Sequence, residues 1–89
     1  MVRAVIVGSG SYVPPNRVTN EMLSRIMDAP DQWIQERSGV ETRYYVDEGT
    51  STSDLAFAAA SEALKFSGID KHELDLIVFA TMTPDYYVP

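Results

Sequence analysis

The chain has 89 residues, of which 45% are hydrophobic and 22% charged, a composition typical of a globular protein and not of a disordered one. Its formal net charge of -6 argues against a general nucleic-acid-binding surface, and no apolar stretch approaches the ~20 residues that a membrane span needs. The sequence contains no cysteine, which excludes a disulfide framework, a cysteine metal site and a thiolate nucleophile within it. Since the start shows no cleavable signal pattern, we expect a cytoplasmic protein.

The first apolar run, residues 2–7, is rich in valine and predicts a buried strand. Gly8 and Gly10 follow it and resemble part of a dinucleotide-binding loop. That fingerprint needs a third glycine and a helix directly after the loop, whereas Pro14 and Pro15 prevent a continuous helix here. We therefore interpret the two glycines as residues that allow a tight exit from the strand.

The next segment predicts two short helices followed by an extended stretch and a turn. Thr19 or Asn20 can cap the first helix, which is expected to run to about Met27. The second helix has Pro30 in its first turn and ends at Gly39, a residue suited to the left-handed conformation. The extended stretch and the turn are expected at residues 40–46 and 47–50.

The best-defined helix is expected over residues 53–66. Ser51 and Asp54 have nearly the spacing of a capping box, and Gly68 is a natural end. A stripe of small side chains predicts that the helix packs closely against another element. The stripe consists of Ala56, Ala59, Ala60 and Ala63.

Asp70 and Glu73 can cap a single turn before a second apolar run, residues 76–80. A continuous run of this kind is typical of a strand that is covered on both faces. A helix followed by such a strand indicates an α/β layer fold, in which ligands commonly bind beyond the carboxyl ends of the strands.

Trp33 and Arg37 form the first candidate site. Their spacing places both side chains on the same face of the second short helix. A flat aromatic ring beside a planar cation can stack a nucleotide base and hold a phosphate. The alternative is that the two side chains only pack on each other at a helix surface.

Arg43 is a second candidate cation for a polyanionic ligand. His72, the single histidine, is expected to be an exposed residue without a role in a site. The other basic residues are expected on solvated faces. They include Arg17, Arg25, Lys65 and Lys71.

Several blocks of sequence, taken in order, resemble the amino-terminal region of β-ketoacyl-acyl-carrier-protein synthase III. The blocks are GSGSYVPP at 8–15, DQWI at 31–34, RSGV at 37–40 with Arg43, GID at 68–70, DLIV at 75–78 and ATMTPDY at 80–86. The resemblance implies the α/β thiolase fold, in which two related halves form a five-layered αβαβα sandwich that works as a homodimer. Residues 1–89 are then expected to be part of the amino-terminal half-domain and not a complete independent domain.

The resemblance also implies roles for individual residues. Trp33 is expected to stack on the adenine of coenzyme A, and Arg37 to contact the nucleotide or its phosphate. Ser38 stands where a threonine usually lines the same entrance. Val88 stands where a residue, often aromatic, reaches across the dimer to close the partner's acyl pocket. A valine leaves more room, so an acyl group longer than acetyl is expected; alternatively, Val88 is only a loop residue packed at an interface.

The implied reaction condenses an acyl-coenzyme A primer with malonyl-acyl-carrier protein in a decarboxylating Claisen condensation, as part of fatty-acid or related acyl biosynthesis. The cysteine, histidine and asparagine of that reaction are expected outside these residues, because the chain has no cysteine. Coenzyme A thioester is expected as substrate, with no resident cofactor or metal. The expected partners are the remainder of the same enzyme, acyl-carrier protein and a second copy of the enzyme.

Two alternatives stay open at this point. One is a non-catalytic coenzyme A-binding or regulatory module that keeps the nucleotide-stacking face. The other is a sister thiolase-fold enzyme that makes a hydroxymethylglutaryl or long-chain ketone product.

Overall fold

The computed structural model describes residues 2–87, which fall into two compact units. One unit is Val13–Gly49, and the other combines residues 2–12 with residues 50–87. In this described part of the chain, no helix has both the length and the apolar content needed to cross a membrane.

The Val13–Gly49 unit contains a two-stranded antiparallel sheet and two short helices. Its elements in chain order are strand β1 (Asn16–Thr19), helix α1 (Asn20–Ser24), helix α2 (Asp31–Ser38) and strand β2 (Thr42–Tyr45). The register of the sheet pairs Val18 with Arg43 and Thr19 with Thr42. β2 lies in the stretch predicted to be extended, whereas β1 is a finding of the structure that the sequence does not predict.

Thr19 caps α1, as predicted: its hydroxyl oxygen accepts a hydrogen bond from the Met22 amide nitrogen at 3.2 Å. The helix ends at Ser24, short of the expected Met27. The reason is local, since the chain tightens into a turn in which the Ile26 amide donates to the third carbonyl before it at 3.0 Å.

The bounds of α2 follow from a proline and a glycine. Pro30 is the N-cap and so lies just before the first turn, not within it. Gly39 ends the helix with a φ of 72°, and its amide donates to the Gln35 carbonyl at 2.8 Å, which confirms the predicted left-handed stop. On the inner side of the unit, Ala29 and Ile34 are the buried apolar side chains among residues 2–87.

The second unit is built on helix α3 (Thr52–Ser67). Its N-terminus carries the capping box of Ser51 and Asp54, and Gly68 ends it with a φ of 74°, both as predicted. A single 3-10 turn, Lys71–Glu73, follows, and the Asp70 carboxylate caps it by accepting from the His72 amide at 2.9 Å.

The predicted strands at residues 2–7 and 76–80 are wrong for this structure. Neither segment has regular secondary structure, and their large apolar side chains are exposed; Ile6 is 90% exposed and Val78 is 84% exposed. A strand obtains its backbone hydrogen bonds from a neighbouring strand, and among residues 2–87 the paired strands are β1 and β2 alone. The apolar composition is present, but the partner that turns it into a sheet is not among these residues.

Gly8 and Gly10 are explained by packing against α3 and not by a turn conformation. A Cβ atom on Gly8 would lie 2.8 Å from the Ala63 carbonyl oxygen, and one on Gly10 would lie 2.5 Å from the Ala59 carbonyl oxygen. Neither glycine has a positive φ. The close approach predicted for the alanine stripe is thus found at Ala59 and Ala63, where the other partner is a glycine backbone.

Candidate nucleotide-binding surface

Trp33 and Arg37 lie side by side on the surface of α2. The Arg37 Cζ atom lies over the indole, 5.3 Å from the ring centroid, within the range of a cation–π interaction. Trp33 is 47% exposed, and Arg37 is exposed as well. No hydrogen bond or ion pair within residues 2–87 involves the Arg37 guanidinium, so its donors are available to a ligand.

The pair is an open surface and not a finished pocket. A cavity of about 320 Å³ borders the same helix at Asp31 and Gln35, and its lining includes neither Trp33 nor Arg37. That lining carries three carboxylates, which makes it unfavourable for a phosphate. Its residues are Thr19, Asn20, Glu21, Asp31, Gln35 and Glu41.

Ser38 closes the C-terminal end of α2. Its hydroxyl donates to the Ile34 carbonyl oxygen at 2.7 Å, and its oxygen accepts from the Val40 amide at 3.1 Å. The hydroxyl proton is therefore used inside the unit, and an acceptor lone pair is what Ser38 offers to a ligand. Its place at the coenzyme A entrance stays a prediction. Val88 lies outside the described residues.

Asn20 is the most buried residue of the unit, with 2% of its surface exposed. Its side-chain nitrogen donates to Asp31 Oδ1 and to the Val40 carbonyl oxygen, both at 2.8 Å. Its side-chain oxygen accepts from Arg43 Nη2 at 2.6 Å. Both N–H groups of the amide and its oxygen are thus satisfied, as burial requires.

Asp31 is held at the first turn of α2 by two amide donors. Gln35 Nε2 donates to Oδ1 at 2.9 Å, and Asn20 donates to the same oxygen. Hydrogen bonds from Gln35 and from Asn20 lower the pKa of the Asp31 carboxyl below its ordinary value, because they favour the ionised form. A carboxylate at this position also suits the positive end of the helix dipole.

Arg43, the second cation expected to meet a polyanion, is committed to the interior instead. Besides its bond to Asn20, its Nη1 donates to the Val18 carbonyl oxygen at 3.4 Å, and the side chain is half-buried. The structure therefore separates Arg43 from the exposed pair on α2.

The interior role of Asn20 was not predicted from the sequence. The available signal was that Thr19 and Asn20 are adjacent capping residues, of which α1 needs one.

No protein-family model matches the chain. The β-ketoacyl-[acyl-carrier-protein] synthase III of Rhodospirillum rubrum is 52% identical over 89 residues, which are 100% of this chain and 28% of the relative. That of Ehrlichia canis is 45% identical over the same shares of the two proteins. The chain is a relative of β-ketoacyl-[acyl-carrier-protein] synthase III. It spans little more than a quarter of the length of these synthases.

Solved structures give the same result. The 3-oxoacyl-[acyl-carrier-protein] synthase III of Aquifex aeolicus matches with a TM-score of 0.85 and 42% identity, over 94% of this chain and 27% of that one. The synthase III of Pseudomonas aeruginosa matches with a TM-score of 0.82 and 39% identity, over 96% and 26%. The predicted family resemblance and the α/β class with a thiolase-like fold are confirmed. The division into half-domains stays a prediction.

Proposed function

We propose that the chain is part of a condensing synthase III and that the surface formed by Trp33 and Arg37 binds the nucleotide of coenzyme A. The observation that carries the proposal is the exposed indole with a guanidinium 5.3 Å from its centre and no internal acceptor for that guanidinium among residues 2–87. The indole offers a stacking face for adenine, and the guanidinium offers paired donors for a phosphate. In a chain of net charge -6, a local cation is what makes a polyanionic ligand acceptable.

The reaction proposed for the whole enzyme has two stages. A cysteine thiolate attacks the acyl-coenzyme A thioester, so that the acyl group moves to the enzyme and coenzyme A leaves as the thiol. Malonyl-acyl-carrier protein then loses carbon dioxide, and the resulting carbanion attacks the acyl-cysteine, forms the new carbon–carbon bond and releases the cysteine. We place that cysteine, with its histidine and asparagine, in sequence outside these residues, because they contain no cysteine.

Further parts of the proposal follow from the family. Coenzyme A thioester is a substrate, and no resident cofactor is required. Acyl-carrier protein, a second copy of the enzyme and the remaining three quarters of the polypeptide are the proposed partners, in the cytoplasm. Ser38 completes the entrance, and Val88 widens the acyl pocket of the neighbouring copy for groups longer than acetyl.

The decisive experiment measures condensation of acyl-coenzyme A with malonyl-acyl-carrier protein by the natural full-length protein that contains this chain. Trp33→Ala and Arg37→Ala are each expected to raise KM for acyl-coenzyme A with kcat nearly unchanged, because the nucleotide lies far from the reacting carbon. Stacking of a base on an aromatic ring contributes about 1–3 kcal/mol, so we expect about a 5- to 150-fold rise for Trp33→Ala.

Matched controls exist in the same unit. Arg25→Ala removes the same charge from an exposed arginine whose partner is Glu21, at 3.2 Å. Tyr45→Ala removes an aromatic ring that is 48% exposed, nearly the exposure of Trp33. If Trp33→Ala and Arg37→Ala behave like these controls, the proposed binding surface is wrong.

The same assay separates the non-catalytic alternative, which would use the same exposed Trp33–Arg37 pair to bind coenzyme A. A module of that kind binds coenzyme A in a manner that depends on Trp33, yet the wild-type protein forms no β-ketoacyl product. Product formation by the wild type excludes it.

A further inference from the structure

The position of α2 depends on few apolar contacts. The helix has eight residues, and a helix of that length is not stable by itself in water. Of its side chains, Ile34 is the one that is buried. The helix that carries Trp33 and Arg37 is therefore held in place to a large extent by polar contacts at its two ends.

Both ends of α2 are bonded to the same side chain. Asn20 Nδ2 donates to Asp31, the first residue of the helix, and to the carbonyl of Val40, just beyond the last residue. The Asn20 backbone adds a third link, since its amide donates to the Glu41 carbonyl at 3.1 Å. Trp33 and Arg37 lie between these attachment points.

Asn20 is itself fixed from the opposite side. The Arg43 guanidinium donates to its side-chain oxygen, and Arg43 lies on β2, where it pairs with Val18 of β1. The amide has one orientation that satisfies all of these partners, because a flipped amide would direct its N–H groups toward the guanidinium and its oxygen toward the Asp31 carboxylate. The sheet therefore determines where Asn20 points, and Asn20 determines where α2 lies.

We propose that Asn20 is a positioning residue for coenzyme A: it does not touch the ligand but sets the place of α2 and so of the Trp33–Arg37 pair. This inference depends on the proposed function, according to which Trp33 and Arg37 bind the nucleotide of coenzyme A. Asn20 acts on the nucleotide end of the substrate alone, so its effect is confined to ligands that carry the nucleotide.

The test compares two acyl donors in the natural full-length protein: acyl-coenzyme A, and the same acyl group on pantetheine, which lacks the nucleotide. Asn20→Asp keeps the shape of the side chain and the oxygen that accepts from Arg43. It removes both side-chain N–H groups and directs a carboxylate oxygen at Asp31. We expect KM for acyl-coenzyme A to rise about 10-fold or more, because a displaced α2 no longer holds the indole where the adenine stacks. The kcat with acyl-coenzyme A and both kinetic constants for acyl-pantetheine are expected to stay unchanged. An equal loss with both donors would show a general structural defect and overturn the inference.

A double-mutant cycle shows whether Asn20 acts through the indole. In Trp33→Ala, the further change Asn20→Asp is expected to have little additional effect on KM, because the group that it positions is gone. Fully additive effects overturn the inference. If Trp33→Ala alone leaves KM unchanged, it is the proposed function that fails; if Trp33→Ala raises KM and Asn20→Asp does not, the positioning role alone fails.

Asp31→Ala provides a second route, in case Asn20→Asp does not fold. Asp31 is exposed, so the change leaves no buried cavity, and it removes the link between Asn20 and the start of α2. A smaller rise of about 3-fold in KM, again confined to acyl-coenzyme A, is expected. Asp28→Ala removes the same charge at an exposed position just before the helix. It is expected to leave KM unchanged for both acyl-coenzyme A and acyl-pantetheine. If Asp31→Ala matches this control, the network does not position the pair.

Discussion

Arg37 and Arg43 lie in the same unit, but their guanidinium groups have different environments. Arg37 is exposed over an indole ring and has no acceptor among residues 2–87, whereas Arg43 is half-buried and bonded to Asn20 and to the Val18 carbonyl. Both residue type and proximity in sequence suggested a common role in binding a polyanion. The difference arises from β2, which directs Arg43 into the unit, while α2 presents Arg37 at the surface.

Asp31 predicts a pH dependence of stability. Hydrogen bonds from Gln35 and Asn20 lower the pKa of its carboxyl in the folded state, so the ionised group stabilises the fold at a pH above the ordinary value, about 4. That contribution is lost as the pH falls through the lowered pKa. The advantage of the wild type over Asp31→Asn in Tm, measured in the natural full-length protein, is therefore expected at neutral pH and to shrink below about pH 4.

Asp54 also makes stability fall at low pH, so the Tm of the wild type has to be compared with that of Asp31→Asn at each pH. The Ser51 backbone and hydroxyl both donate to the Asp54 carboxylate and lower the pKa of its carboxyl, and this effect is common to wild type and variant. Asp28→Asn is the control, since its carboxylate takes part in no hydrogen bond within residues 2–87. A Tm difference for Asp31→Asn that is the same at pH 3 and pH 7 would contradict the role given to these hydrogen bonds.

At the scale of elements, the signals that the sequence predicted correctly are local ones. Thr19, Ser51 and Asp70 cap the element that follows each of them, and Gly39 and Gly68 end theirs with a positive φ. Each of these interactions joins residues that are at most a turn apart, so residue type and spacing determine them.

The interactions that the sequence did not predict join distant residues. The bonds of Asn20 reach across 11 residues to Asp31 and across 20 to Val40. The pairing of β1 with β2 likewise depends on a partner far along the chain, and the segment that forms β1 lacks the apolar alternation that marks a strand. A local pattern carries no information on either contact.

Gly10 tests the packing of the N-terminal segment on α3. A Cβ atom there would lie 2.5 Å from both the Ala59 carbonyl oxygen and the Ala63 nitrogen, which are backbone atoms that cannot rotate away. Overpacking of this kind costs about 1–3 kcal/mol, which exceeds the 0.4–1 kcal/mol or so that alanine contributes by restricting the unfolded chain. Gly10→Ala is therefore expected to lower the free energy of unfolding of the natural full-length protein, measured by denaturant titration.

Ser9→Ala is the matched control for this substitution, because it changes an exposed neighbour between the two glycines. An unfolding midpoint for Gly10→Ala at or above that of Ser9→Ala would show that the segment does not lie against α3 in solution.

At the scale of the whole molecule, the main observation is the amount of exposed apolar surface. Phe57 and Phe66 on α3 are 76% and 80% exposed, and the apolar run at residues 76–80 is exposed along its length. Soluble monomers rarely carry contiguous apolar patches larger than a few hundred Å². The chain also spans little more than a quarter of the length of its synthase III relatives. Both observations fit the proposal that the rest of the enzyme covers this surface.

Amide hydrogen exchange of the natural full-length protein tests that proposal directly. If residues 76–80 form a central strand of the complete enzyme, their amides are hydrogen-bonded to neighbouring strands and should exchange at least about 100-fold more slowly than those of an exposed turn. The turn at residues 47–50, which the structure confirms around Gly49, supplies the reference within the same molecule. Equal exchange rates in the two segments would mean that residues 76–80 stay unpaired. The strand predicted from their composition would then be wrong for the complete protein too.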